Sequence, residues 1–218
     1  MKDFERIFSG VRNAVERKLT ASPGCHDFDH TLRVLANARM LASRITEADR
    51  EIVELAALLH DIARPEELAS QGRVCHAAAG AEIAEKLLLE LGAPQASAAA
   101  VAAAVRSHRY RDAVAPETLE AQIVFDADKL DSLGAVGLGR AFLFAGRVGA
   151  RLHNTETEAL NSKPYSREDT AYREYLVKLR HLPTAMLTAP GRAEGTRRLR
   201  FMRRFFDRLD AEIRAAAE

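Results

Sequence analysis

The sequence predicts an all-α protein, a single helical-bundle domain over residues 1–218. Three observations carry this. Apolar residues recur at helical spacing, as in Phe4, Ile7, Phe8, Val11, Val15 and Leu19. Alanine-rich runs such as Ala98-Ala99-Ala100-Val101-Ala102-Ala103-Ala104 favour helix strongly. Strand-like alternation of useful length and internal repeats are both missing from the sequence.

The elements follow in order. The first amphipathic helix covers about 3–20 and is broken by Ser22-Pro23-Gly24. A second runs from about Asp27 to Arg44, with Leu32, Leu35, Ala36 and Leu41 on its apolar face. Thr46-Glu47-Ala48-Asp49 reads as a cap for a third, which carries Ile52, Val53, Leu55, Ala56, Leu58 and Leu59 into His60-Asp61. Pro65 ends it or starts a short turn, and 64–75 reads as a polar connection. Helices are expected at about 76–91, 94–108 and 116–130. Gly134, Gly137 and Gly139 interrupt the next stretch without preventing helix. Residues 151–167 are polar and read as an irregular, mobile flap. A helix at about 168–181, turn signals from Pro183 to Gly195 and a charged amphipathic helix from about Thr196 complete the chain.

Composition narrows the function. With 47% hydrophobic residues the chain can bury a sizeable core, and 6% aromatics without Trp make that core mainly Ala, Leu, Val and Ile. A net charge of +1 recruits neither nucleic acid nor membrane by global electrostatics. Cys25 and Cys75 form no CxxC, and Met1-Lys2-Asp3-Phe4-Glu5-Arg6 is charged where a signal peptide needs an apolar run. No segment approaches the ~18 apolar residues of a membrane span. The expectation is a soluble cytoplasmic protein with no membrane partner.

Three segments carry chemistry. His60 and Asp61 are adjacent, and neighbouring side chains on a helix reach a common point only close to the backbone, where a metal ion can hold both. Upstream, Cys25-His26-Asp27-Phe28-Asp29-His30 puts two histidines four apart at a helix start. Downstream, the apolar run Ile123-Val124-Phe125 leads into Asp126, Asp128 and Asp131, carboxylates that are expensive to bury without a cation. Together they offer His30, His60, Asp61 and one of Asp126 or Asp128. This mixed N/O set suits a transition-metal ion better than Ca²⁺. Neither a nucleophile elbow, a phosphate-binding glycine loop nor an H-E-x-x-H motif is present.

The ordered set His30-Thr-Leu-Arg-Val, Leu58-Leu59-His60-Asp61-Ile62 and Asp126-Ala-Asp128-Lys-Leu-Asp resembles the HD-domain superfamily of metal-dependent phosphohydrolases, in its stand-alone bacterial form. The motif core covers about 26–131, with C-terminal helices at about 168–216 packed on or beside it. The resemblance implies His30, His60, Asp61 and Asp128 as ligands of a divalent ion (Mn, Fe, Co, Ni, Mg or Zn). Asp126 is the rival for the last place. One ion is favoured and two are the alternative. Asp61 is the group placed to take a proton from the attacking water. His26, Arg33, Arg64, His76, His108 and Lys129 are expected to contact a small phosphorylated substrate, a nucleotide first among the candidates. His26 is also a rival first ligand. His76 and His108 lie where two-metal branches of the superfamily carry extra histidines. Related enzymes use a Glu soon after the His-Asp pair in proton transfer; here Arg64 intervenes and the acids are Glu66 and Glu67. The alternatives are a two-metal phosphodiesterase and a non-catalytic helical module. The arginines of the last helix lack the interleaved aromatics of nucleic-acid binding.

Overall fold

The structure, a computed structural model, describes residues 1, 3–20, 27–109 and 114–215. All regular structure among them is helical, as the sequence predicts. By its internal contacts the chain is described in two compact units, Met1–Asp128 and Lys129–Glu218.

The first unit contains α1 (Phe4–Leu19), α2 (Phe28–Ala42), α3 (Arg50–Leu59), α4 (Arg64–Ala69), α5 (His76–Glu90), α6 (Gln95–Ser107) and most of α7 (Leu119–Leu130). Helix α3 is its centre, packing on α1, α2 and α6. Val53, Leu55, Ala56, Ala57, Leu58 and Leu59 are all fully enclosed, which explains a segment apolar on nearly every face. Asp49 caps α3, its Oδ1 accepting from Glu51 N at 2.9 Å and Ile52 N at 3.3 Å. Asp27 does the same for α2, accepting from His30 N at 2.9 Å.

Two local features bring α3 and its neighbours to the site. After Leu59 the chain leaves the α-helix by tight turns, with Ile62 N donating to Leu59 O at 3.1 Å and Arg64 N to Asp61 O at 2.9 Å. At Gly80, α5 packs against this turn and α6 at ordinary contact distance. A Cβ there would stand 3.4 Å from Val105 Cγ1 and 3.7 Å from Ile62 Cγ2. Across the unit, buried Asn37 Nδ2 donates to Ala127 O at 3.1 Å and ties α2 to α7. The 64–75 connection is not irregular throughout, because Pro65 starts α4 in its first turn instead of only ending α3.

The second unit contains α8 (Gly134–Arg147), α9 (Glu156–Asn161), α10 (Ala171–Val177), a 3₁₀ turn (Leu179–His181), α11 (Leu182–Ala185) and α12 (Ala189–Ala215). It departs from expectation twice. Residues 151–167 include α9, opened by a capping box between Thr155 and Glu158. Fully buried Asn154 holds this segment in place, donating to Glu168 O at 3.0 Å and accepting from Thr170 Oγ1 at 2.8 Å. Helix α12 begins seven residues earlier than Thr196, at Ala189. Thr188 Oγ1 accepts from Gly191 N at 3.0 Å, and Pro190 fits a first turn, where its missing N–H costs nothing. None of the described helices is long and apolar enough to cross a membrane.

Candidate metal centre

Histidines from four elements of the first unit converge on Asp61. His30 lies in the first turn of α2, His60 caps the end of α3, His76 opens α5 and His108 caps the end of α6. Each is almost wholly buried, at 0–2% exposure, and so is Asp61 at 2%. Burying five such groups together is costly unless something satisfies their polar atoms.

Their atoms form two groups. His30 Nε2 lies 3.2 Å from His60 Nε2 and 3.5 Å from Asp128 Oδ1. His76 Nε2 lies 3.1 Å from His108 Nε2. Asp61 serves both. Its Oδ2 is 3.6 Å from His30 Nε2 and 3.7 Å from His60 Nε2. Its Oδ1 is 3.1 Å from His76 Nε2 and 3.6 Å from His108 Nε2. Among the described residues, the sets His30, His60, Asp128 and Asp61, His76, His108 each bring three ligand atoms within 4.8 Å of one another.

The backbone decides which nitrogens carry protons. His60 Nδ1–H donates to the Ala57 carbonyl at 2.8 Å, and His108 Nδ1–H to the Val105 carbonyl at 2.6 Å. A carbonyl only accepts, so in the neutral ring Nε2 keeps its lone pair. Burial pushes the His60 pKa below its ordinary value. His108 adds to this, and Asp61 and Asp128 oppose it. The cluster is thus imidazole nitrogens and carboxylate oxygens gathered on one point, the donor set a divalent cation requires.

Behind His76 stands Glu67 of α4. His76 Nδ1 is 2.8 Å from Glu67 Oε2, which also accepts from Arg64 Nη1. Arg109 Nη1 is 3.2 Å from Glu67 Oε1 and donates to Cys75 Sγ at 3.5 Å. Burial raises the Glu67 pKa, but His76, Arg64 and Arg109 outweigh it and hold the carboxyl below its usual range.

Of the residues expected at the site, His30, His60, Asp61, Asp128, His76, His108 and Arg64 are brought together. Arg64 Nε lies 3.9 Å from Asp61 Oδ2. Asp128 is the α7 carboxylate grouped with His30 and His60; Asp126 is fully buried two residues earlier. Arg33 is half-buried one turn beyond His30, and Lys129 is 4% exposed immediately after Asp128. His26 and Cys25 lie outside the described residues. Glu67 is the site residue to which sequence reasoning gave no role. Its spacing of three from Arg64 on a Pro-initiated helix was the available signal.

Residues 27–133 match the HD domain family. The chain is 32% identical over 207 residues to YpgQ of Bacillus subtilis (strain 168), covering 93% of this chain and 92% of that protein. The crystal structure of YpgQ in complex with ADP superposes with a TM-score of 0.74 at 28% identity, covering 96% of each chain. A predicted HD superfamily hydrolase from an uncultured Thermotogales bacterium superposes with a TM-score of 0.66 at 31% identity, covering 96% of this chain and 92% of that one.

Proposed function

The chain belongs to the HD domain family, and from that premise we propose that it is a metal-dependent phosphohydrolase cleaving a phosphate ester or phosphoanhydride bond of a nucleotide. The observation that carries this reading is the position of Asp61, a buried carboxylate with each oxygen facing a different pair of imidazole nitrogens. The ADP complex of YpgQ supports a nucleotide as the substrate class.

His30, His60, Asp61 and Asp128 would hold one ion, of Mn, Fe, Co, Ni, Mg or Zn type. The divided Asp61 favours a second ion, held by Asp61, His76 and His108, over the single ion expected from sequence. This moves His76 and His108 from substrate contact to metal binding. Bound divalent metal supplies Lewis acidity toward a phosphoryl oxygen and makes water a competent nucleophile at neutral pH. Asp61 would accept the proton of the attacking water. Arg33, Lys129 and His26 keep the expected role of neutralising phosphate oxygens. Arg64 holds its positive charge beside Asp61.

The test is phosphate and pyrophosphate release from a panel of nucleotides after chelation and re-addition of each metal. We expect metal-dependent turnover in the wild type, lost in His60→Ala and Asp61→Ala. Folded, metal-loaded protein that turns over no nucleotide would contradict the substrate class. Folded protein that binds no metal would overturn the hydrolase reading.

A further inference from the structure

The second unit contains a cavity of about 460 Å³ between α10 and α12, with the start of α9 and the 3₁₀ turn at its rim. Small-molecule sites fall in this range of size. All its lining residues belong to the second unit, and all the candidate metal ligands belong to the first. The floor is apolar and held by packing. Tyr175, Leu176 and Phe206 are at most 9% exposed, and Leu199 adds to the wall. Ring centroids of Tyr175 and Phe206 are 4.8 Å apart and those of Tyr172 and Phe206 5.2 Å, while His153 stacks on Tyr172 at 5.7 Å. The polar groups on this floor and rim are mostly donors. Neither the Tyr172 nor the Tyr175 hydroxyl makes a hydrogen bond among the described residues, although tyrosines buried to this degree usually find a partner. Burial raises both phenol pKa values, so the hydroxyls stay protonated at neutral pH. Arg200 and Arg203, exposed on α12, form no hydrogen bond or ion pair among the described residues. Arg180 Nε donates to His181 Nε2 at 3.1 Å, and its Nη1 lies 3.9 Å from Glu156 Oε1, so most of its N–H groups are open to a further acceptor.

We propose that this cavity binds a small phosphate monoester with a planar apolar body, the body against Tyr172, Tyr175 and Phe206 and the phosphate against Arg180, Arg200, Arg203 and the Tyr175 hydroxyl. Guanidinium groups recognise oxyanions through paired N–H donors. A phosphate monoester offers three terminal acceptor oxygens to this many donors, where a carboxylate offers two. Two acids on the same wall, Glu156 and Asp207, limit the ligand to one phosphoryl group, because a polyphosphate would bring further charge against them. The aromatic floor favours a ring as the body, since aromatic groups gain most from edge or offset contact with one another. A solvated arginine face would not by itself set two unbonded phenol hydroxyls in the same wall. The inference does not depend on the hydrolase reading of the first unit.

The experiment uses the full chain with ¹³C-labelled tyrosine rings, in chelator so that no metal-dependent turnover intervenes. The chain has four tyrosines, and a Tyr→Phe variant at each position assigns its signal. The probes are phenyl phosphate and AMP, with inorganic phosphate and benzoate beside them. Either ester should shift the Tyr172 and Tyr175 signals saturably and leave Tyr165, which does not line the cavity, in place. Inorganic phosphate, which has no body, and benzoate, which has no phosphate, should each bind about tenfold or more weakly. Tyr175→Phe keeps the ring and removes one donor, and should weaken ester binding about tenfold. Arg200→Gln combined with Arg203→Gln should weaken it by more while the urea midpoint stays at the wild-type value, because both side chains are exposed. Four outcomes overturn the proposal: neither ester moves the two signals, benzoate binds as tightly as phenyl phosphate, inorganic phosphate binds as tightly as either ester, or ester binding survives both variants. Each of them leaves the hydrolase reading standing.

Discussion

Both units of this protein bury charged side chains, and they do so in opposite ways. In the second unit the buried acids have their own cations. Glu194 accepts from Arg197 Nε at 2.8 Å and Nη2 at 2.7 Å, and from Arg198 Nε at 2.8 Å. Asp131 accepts from Arg140 at 2.7 Å, and Asp169 from Arg173 at 3.0 Å. These are guanidinium pairs closed within the fold. In the first unit Asp61 is surrounded by imidazoles, at least two of which turn lone pairs toward it. The first arrangement supplies its own counter-charge. The second gathers three-residue sets of ligand atoms on one carboxylate, with Arg64 Nε only at 3.9 Å, which is why one is read as structure and the other as a site.

The contrast can be broken most strongly at the metal centre. His60→Ala or Asp61→Ala should lower metal-dependent turnover by about 10²–10³-fold or more, the scale seen when a single group stabilising transition-state charge is removed. In chelator, however, Asp61→Ala should leave the urea midpoint unchanged or raised, because it deletes a carboxylate that is costly to bury. A large loss of metal-free stability would show that Asp61 is a structural acid like Glu194.

The next effect is linkage. Free metal at 100 times its Kd should stabilise the wild type by about 2.7 kcal/mol, seen as a rise in Tm that chelator reverses. The same metal should do little for His60→Ala. Arg198→Ala should show the reverse pattern. It removes a bond to Glu194 and another to the Leu130 carbonyl at 2.7 Å. It should cost about 1.5–3 kcal/mol by chemical denaturation while metal uptake stays at the wild-type stoichiometry.

The smallest effect concerns acid. The hydrogen bond from Arg197 is the main influence holding Glu194 down to about 2 from 4.5, with burial opposing and Arg198 assisting. A carboxyl whose folded value is depressed gives stability that is present above the unfolded value and lost as pH falls toward the folded one. Glu194 should therefore contribute about 1–2 kcal/mol at neutral pH after allowance for the exposure of Arg197. That contribution should fade between pH 4.5 and about 2. Glu194→Gln should flatten this part of the acid unfolding profile.

The sequence disclosed the helices and the His-Asp centre for physical reasons that also explain what it hid. Helix α3 was legible because a run apolar on all faces that stops at His60-Asp61 has few other uses. Asp128 could be preferred to Asp126 only through resemblance, since both follow the same apolar run and differ by the face they present. Helix α4 was missed because none of its six residues is buried, so it carries no apolar period. With it went the role of Glu67, whose meaning depends on His76 and Arg109 arriving from α5 and from the end of α6. The 151–167 segment reads as irregular by polarity alone, although its Thr155 to Glu158 capping box was present in the sequence. The early start of α12 was obscured by Pro190, Gly191 and Gly195, residues that mark breaks in most contexts and here sit in a capped first turn and a close approach to Met186.

The most direct measurement is anomalous diffraction from crystals of the wild-type protein grown with Mn²⁺, recorded near the manganese edge. The account predicts one peak enclosed by His30, His60, Asp61 and Asp128, and a second enclosed by Asp61, His76 and His108. Mn²⁺ found only on surface carboxylates, with Asp61 and the four histidines unliganded, would contradict it.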